Sequence, residues 1–329
     1  MTALTHDTIS SRAATGLVLA FASATTFGMS GVLARGLLDT GWTAGSAVTV
    51  RTVIAAVVLI VPGVLALRGR WHLVSDNAGL ITVYGVSAVA GAQLCYFYAV
   101  TYMQVSVALL LEYTAPVAVV LWLWLRHGHR PSGLTVLGAA IAAGGLVLVL
   151  DVIAGAELST VGVLWALGAM VGAATYFVIS ADEGNGLPGI SLAAGGLLVA
   201  SVVLLGAGAS GVLPFSASTA DAVYDGRSVP WWLPVLALGL VTAAFAYVTG
   251  IEAGRRLGSR LASFVALGEV LAAIVFAWIV LGELPRSIQL AGGVLVLVGV
   301  VVVKLGEGRA PLVTQPLPET ESLSERPVA

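Results

Sequence analysis

Ten uninterrupted apolar runs, each 17 to 25 residues long, set the limits on what this chain can fold into: 15–34, 43–67, 78–100, 103–125, 133–150, 161–180, 189–209, 231–251, 261–281 and 287–303. A helix needs about 20 apolar residues to cross the hydrocarbon core, with about 17 to 25 acceptable. Lipid offers the backbone no hydrogen bonds, so each run must satisfy its own amide groups, which a helix does. Membrane strands would alternate in polarity, and the stretches Leu110 to Leu125 and Val294 to Val303 do not. The runs predict an all-α integral membrane protein with ten transmembrane helices.

Composition agrees. Only 10% of the 329 residues are charged, against about 25% in an ordinary soluble protein. The apolar fraction is 58% and the mean hydropathy +1.00. That excludes a soluble globule and a disordered chain, and the net charge of -2 gives no attraction to nucleic acid. Cys95 is the single cysteine, so neither an internal disulfide nor a thiolate metal cluster can form. The 40 glycines fit helices packed closely in lipid, where small residues let backbones approach.

The ends differ from the runs. Arg12 and the triplet Ala20-Phe21-Ala22 resemble a signal peptide, but the run is too long and the triplet too early, so an uncleaved first span is expected after a short tail, 1–14. From 305 to 329 the chain carries Pro311, Pro316, Pro318 and Pro327 among Glu, Ser and Thr, the composition of a disordered tail. Residues 210–230, with Pro214 and Pro230, form the longest connection and read as a surface loop.

Basic residues are retained on the cytoplasmic side of short loops. With the N-terminus inside, the inner segments hold Arg12, Arg68, Arg70, Arg126, Arg130, Arg255, Arg256, Arg260, Lys304, Arg309 and Arg326, and the outer segments only Arg35, Arg227 and Arg286. Both termini are therefore expected in the cytoplasm.

The chain also repeats itself. A shift of 154 residues carries Gly128, Gly138 and Gly145 onto Gly282, Gly292 and Gly299, and a shift of 146 carries Gly16-Leu17-Val18-Leu19 onto Gly162-Val163-Leu164-Trp165. The halves, 15–150 and 161–304, hold five spans each. Five is odd, so the second half enters from the opposite side, giving two inverted five-helix repeats with a site expected between them.

In the first half Tyr96-Phe97-Tyr98-Ala99 leads into Ser106-Val107-Ala108-Leu109-Leu110-Leu111-Glu112-Tyr113-Thr114-Ala115-Pro116. The second half carries Leu257-Gly258-Ser259-Arg260-Leu261-Ala262-Ser263, then Glu269, then Leu281-Gly282-Glu283-Leu284. On these motifs, over nearly everything from Thr15 to Lys304, the chain resembles EamA-type permeases of the drug/metabolite transporter superfamily. The family commonly has proline directly after the mid-helix glutamate of its second repeat; here Val270 follows Glu269. The resemblance implies a ten-helix inner-membrane permease that moves small metabolites, often outward, with amino acids or related compounds among the candidates.

Three residues that are normally charged lie well inside runs, where each costs about 2.5 to 3.5 kcal/mol unless it faces protein or water. They are Arg51, Glu112 and Glu269. Arg51 and Glu112 stand about 12 to 13 Å deep at 1.5 Å per residue, a matching depth that permits an ion pair. That pair either fixes helix register or serves substrate or coupling. Glu269 shares a face with Ala262, Ala266 and Ala273 and has no basic residue at its depth, so it is a candidate to hold a proton and release it when water reaches it. The alternative is a permanently protonated acid that bonds a neighbouring helix. Glu252, ahead of Arg255 and Arg256, reads as a helix-end pair.

Gln93, Tyr96, Tyr113, Tyr176 and Tyr247, with Tyr98, lie inside runs where their polar atoms need partners, in a cavity wall or between helices. Trp42, Trp71, Trp231 and Trp232 stand at run ends and read as interface anchors. No cofactor or metal site is expected: His6, His72, His127 and His129 form no ligand pattern, and neither a phosphate loop nor a Gly-x-Ser-x-Gly elbow occurs. The expectation is a secondary transporter rather than an enzyme, in contact with lipid, a small-molecule substrate and possible protons, working by alternating access. A passive facilitator and a non-transporting structural or sensory subunit are the alternatives.

Overall fold

The computed structural model describes residues 2–115, 132–149, 159–180, 182 and 184–307. Among them the chain is helical apart from one small hairpin. The first half comprises α1 (Thr2–Gly28), α2 (Ser30–Leu38), α3 (Ala44–Leu67), a short α4 (His72–Asp76), α5 (Ala78–Val83), α6 (Ala92–Tyr102), α7 (Val105–Glu112) and α8 (Gly133–Val149). The second comprises α9 (Thr160–Ser180), α10 (Gly189–Ala209), strands β1 (Ala222–Tyr224) and β2 (Arg227–Val229), α11 (Trp232–Gly239), α12 (Ala246–Ala266), α13 (Gly268–Leu281) and α14 (Ser287–Glu307). The first helix thus begins at Thr2, inside the segment expected as a tail.

Six described stretches are long and apolar enough to cross a membrane: Ala14–Leu38, Ala44–Leu67, Ala78–Tyr102, Thr160–Ser180, Gly189–Ala209 and Trp232–Leu257. Gly133–Gly145, Gly268–Leu281 and Ser287–Val303 are shorter apolar helices. The chain is an all-α, multi-pass membrane protein. The expected run 103–125 is described only as far as Ala115; its remainder, the Arg126 to Arg130 loop with His127 and His129, and the tail from 308 onward lie outside the described residues.

Burial follows lipid logic. On α3 the large apolar side chains Val57, Val61 and Leu65 point outward, while Val48, Arg51, Thr52, Ala55 and Leu59 point inward. The outward face is uniformly bulky and apolar, as lipid allows, while the small and polar residues of the helix are kept to the inward face together with Val48 and Leu59. Local chemistry sets the ends: Thr43 caps α3 by accepting from the Ser46 amide at 3.2 Å, and Gly282, with φ +67°, closes α13 in the left-handed conformation that glycine adopts at no steric cost.

The most extensive helix contacts pair α8 with α14, α1 with α12, α3 with α10, and α6 with α9. These contacts obey the two sequence shifts. Gly138 approaches Gly299 and Gly145 approaches Gly292 so closely that a Cβ on either first glycine would lie 2.7 Å from the partner's carbonyl oxygen. Gly16 packs on Arg256 and Leu257, and its counterpart Gly162 packs on Tyr102 and Met103, 154 residues earlier. Two π-helical stretches, Tyr84–Gly91 and Leu240–Phe245, interrupt the third and eighth expected runs at corresponding places. In each, the corresponding carbonyl accepts a side chain from another helix: Thr242 from Arg51, and Ala88 from the Tyr247 hydroxyl at 3.4 Å. A π turn disturbs the regular hydrogen-bond ladder, and such turns recur at functional sites.

Residues 210–230 lie at the surface, as expected, and are docked on the helices at several points. Leu213 sits against Gly45, the Trp42 indole donates to the Ser218 carbonyl at 2.8 Å, and the Thr43 hydroxyl donates to the Pro214 carbonyl at 2.8 Å. The β1–β2 hairpin turns at Asp225-Gly226, both at positive φ, as a tight two-residue turn requires. It lays Tyr224 over Gly36, and the Tyr224 hydroxyl donates to the Leu33 carbonyl at 2.9 Å. The segment straps the side of the molecule where α2 ends and α3 begins. We call this the far side, and the side where the span Ala14–Leu38 begins the near side. Trp42, expected at the lipid interface, is 6% exposed beneath the strap; Trp71 and Trp232 are exposed, as anchors are.

Candidate functional site

Glu112 and Glu269 stand at helix ends. Glu112 ends α7, where Tyr113 and Thr114 form a turn before Ala115. Glu269 lies in the first turn of α13, just after Leu267, a single turn residue that keeps helical dihedrals (φ -60°, ψ -22°) between α12 and α13, so without the family's proline the chain passes from one helix to the next with no sharp break. A carboxylate in a first turn is favoured by the helix dipole, and broken helices in a membrane are tolerated where they meet protein or a cavity.

Both glutamates line one cavity at the centre of the molecule, with Gln93, Tyr113, Tyr176 and Tyr247. Its walls come from α1, the first π-helical stretch, α6, α7, α9, α12 and α13, and its empty space is about 880 Å³ including its mouth. The Tyr113 hydroxyl donates to Glu269 Oε2 at 2.7 Å. Phe27, Tyr176, Phe177 and Tyr247 make an edge-to-face cluster in the wall, with Phe27 to Tyr247 at 5.1 Å and Tyr176 to Phe177 at 5.4 Å between ring centres. Toward the near side the cavity reaches Ala20, Ser180 and Gly254, close to the ends of their spans. At the far side the strap, the Arg35 to Asp39 ion pair at 3.4 Å and an Arg35 bond to the Val100 carbonyl at 2.6 Å close the molecule.

Six of the eight residues expected in a site therefore meet in one cavity, and two do not. Arg51 is 1% exposed and lies behind the wall: its guanidinium donates to Gln93 Oε1 and to the Thr242 carbonyl, and stands over the Phe97 ring at 5.6 Å. The ion pair with Glu112 that equal depth permits is not formed: the guanidinium is taken up by Gln93, the Thr242 carbonyl and the Phe97 face instead. Depth measures position along the membrane normal only, and the side chain's direction around α3 sends Arg51 to Gln93 and to the second π-helical stretch. Tyr96, one turn from Gln93, instead fills the space over Gly31 together with Val105. Conversely, Ser23, Phe27, Phe177 and Ser180 line the cavity unanticipated. Ser23 and Phe27 are four apart on α1, a spacing visible in sequence, but one hydroxyl and one ring do not stand out in an apolar run.

A largely apolar cavity that carries two acids among membrane helices suits a transporter of small molecules. The chain belongs to the EamA-like transporter family, whose model matches residues 14–151 and 160–305, one match to each half. No curated protein sequence matches it significantly. Among solved structures, a crystal structure described only as that of a protein is similar in fold, with 21% identity over 89% of this chain and 97% of that one and a TM-score of 0.58.

Proposed function

We propose that the chain is a proton-coupled exporter of small organic molecules in the inner membrane, with ten spans arranged as two inverted five-helix repeats and both termini in the cytoplasm. The observation that carries the reading is Glu269: a carboxyl group facing the central cavity, held by a tyrosine hydroxyl, with no ion-pair partner among the described residues. Such a group can take up and give back a proton as water access changes. The cavity reaches the near side, which is cytoplasmic in this topology, so substrate loads from the cell interior and leaves through the far side. The glycine contacts that obey both sequence shifts support the repeat, and an inverted repeat supports alternating access through rocking of one half against the other.

The test is Glu269→Gln in proteoliposomes with an imposed pH gradient. The amide keeps the size of the protonated acid and still accepts from Tyr113, so expression and folding survive. Gradient-driven transport collapses, while exchange between equal concentrations, which moves no net proton, persists. Wild-type gradient-driven rates in the variant would remove Glu269 from coupling and leave a passive facilitator; no movement of any compound by the purified wild-type chain would leave a structural or sensory subunit.

A further inference from the structure

The ionisable groups that line the cavity are of one sign. Glu112 and Glu269 contribute carboxyl groups, and among the described residues no Arg, Lys or His joins them in the wall. The nearby cation, Arg51, is turned away and occupied by Gln93, the Thr242 carbonyl and the Phe97 face. The two acids are also not equivalent. Glu269 accepts from Tyr113, whereas Glu112, 8% exposed, makes no hydrogen bond to any described residue and faces the cavity. A buried carboxyl group with its oxygens unsatisfied has its acceptor capacity open to a ligand. Glu112 moreover ends α7, and the last carbonyl dipoles of a helix add negative potential at that point. The same cavity is lined by the Phe27, Tyr176, Tyr247 and Phe177 cluster, and aromatic faces attract cations.

Resting on the transport reading above, we propose that the substrate is a monovalent organic cation with an aromatic or apolar body, an amine or quaternary ammonium whose charged end is held at Glu112 and whose body lies against the Phe27 and Tyr176 cluster. A free amino acid fits this wall poorly, because its carboxylate would enter a cavity that already holds two acids and offers no described basic side chain. Loss of the carboxylate turns the same skeleton into the favoured ligand.

Radiolabelled benzyltrimethylammonium binding to the purified full-length protein in detergent is the direct test, with phenethylamine, phenylalanine, phenylacetate and benzyl alcohol as unlabelled competitors. Phenethylamine is expected to displace the label at least tenfold more effectively than the other three. Glu112→Gln weakens binding at least tenfold, while Glu283→Gln, which removes a carboxylate outside the cavity, leaves it unchanged. Equal displacement by phenylalanine or phenylacetate would overturn the substrate class, and it can be read on the wild-type protein even where Glu112→Gln does not fold. A folded Glu112→Gln protein that binds the label as tightly as wild type would also overturn it. If the substrate class fails, gradient-driven transport of other compounds still stands or falls by Glu269→Gln. If the cation binds but proteoliposomes move nothing, it is the transport reading that fails.

Discussion

Arg51 spends its hydrogen bonds on Gln93 and on the Thr242 carbonyl, leaving Nε buried without a partner. Removing the guanidinium orphans both acceptors, and an unsatisfied buried polar group costs about 1–3 kcal/mol. Arg51→Leu should therefore lower the thermal unfolding midpoint in detergent. In double-mutant cycles Arg51 should couple to Gln93 by about 0.5–3 kcal/mol, and more strongly than to Glu112. A larger coupling to Glu112 would place the guanidinium on the wrong partner. Outside the spans, Glu283 titrates against the fold. Burial raises its carboxyl pKa above the ordinary value, with Arg35 pulling in the opposite direction. The folded protein then holds that proton more tightly than the unfolded chain, so the stabilisation is complete below the ordinary carboxylate pKa and is lost as pH rises through the raised one. Glu283→Gln should flatten that part of the stability profile, measured as unfolding midpoint against pH; an unaltered slope would exclude Glu283 as its source. The acids of the site were legible in the sequence because an intramembrane charge is costly and conspicuous. Their division of labour was not, since Tyr113 reaches Glu269 across 156 positions of chain.

Elements show the same contrast. Apolar runs predicted helices closely, as α3, α9 and α10 show, because length and hydropathy are properties of the run itself. The π-helical stretches carry no residue signature; their altered ladders are sustained by bonds from Arg51 and Tyr247 on other helices. The strap over 210–230 escaped for a related reason: polar, proline-containing sequence reads as loop, while its docking depends on Trp42, Thr43, Gly36 and Gly45 of a distant segment. Only the Asp225-Gly226 turn was written locally. Because Tyr224 lies over Gly36 and bonds the Leu33 carbonyl, the strap holds the far side shut. Tyr224→Ala should loosen it. In a Cys95→Ala background, a cysteine at Ser106, which is 1% exposed near the far end of α7, should then react at least tenfold faster with an impermeant thiol reagent. An unchanged rate would mean that the hairpin is not part of the closure.

At the scale of the molecule, the two shifts connect the side that is open with the side that is closed. Gly254 at the near mouth corresponds to Val100 under the 154-residue shift, and Ser180 corresponds to Ala34 under the 146-residue shift. Gly254 and Ser180, though buried, line the cavity, whereas Val100 and Ala34, both 0% exposed, line none of it. The matching glycines make this relation legible from the amino-acid order alone; which half is closed is not, because identical contacts satisfy either arrangement. If transport proceeds by exchanging the conformations of the halves, the opposite state opens beside Val100 and Ala34 and closes around Gly254 and Ser180. A cysteine at Val100 in the Cys95→Ala protein should accordingly be shielded at rest and react with an impermeant reagent from the far side during gradient-driven turnover. A cysteine at Ala266, a partly exposed residue of the cavity wall, should change in the opposite sense. Glu269→Gln should abolish the turnover dependence of both. Persistent protection of Val100 during active transport would exclude rocking of the halves and require a path through the molecule that leaves the far side closed at this point.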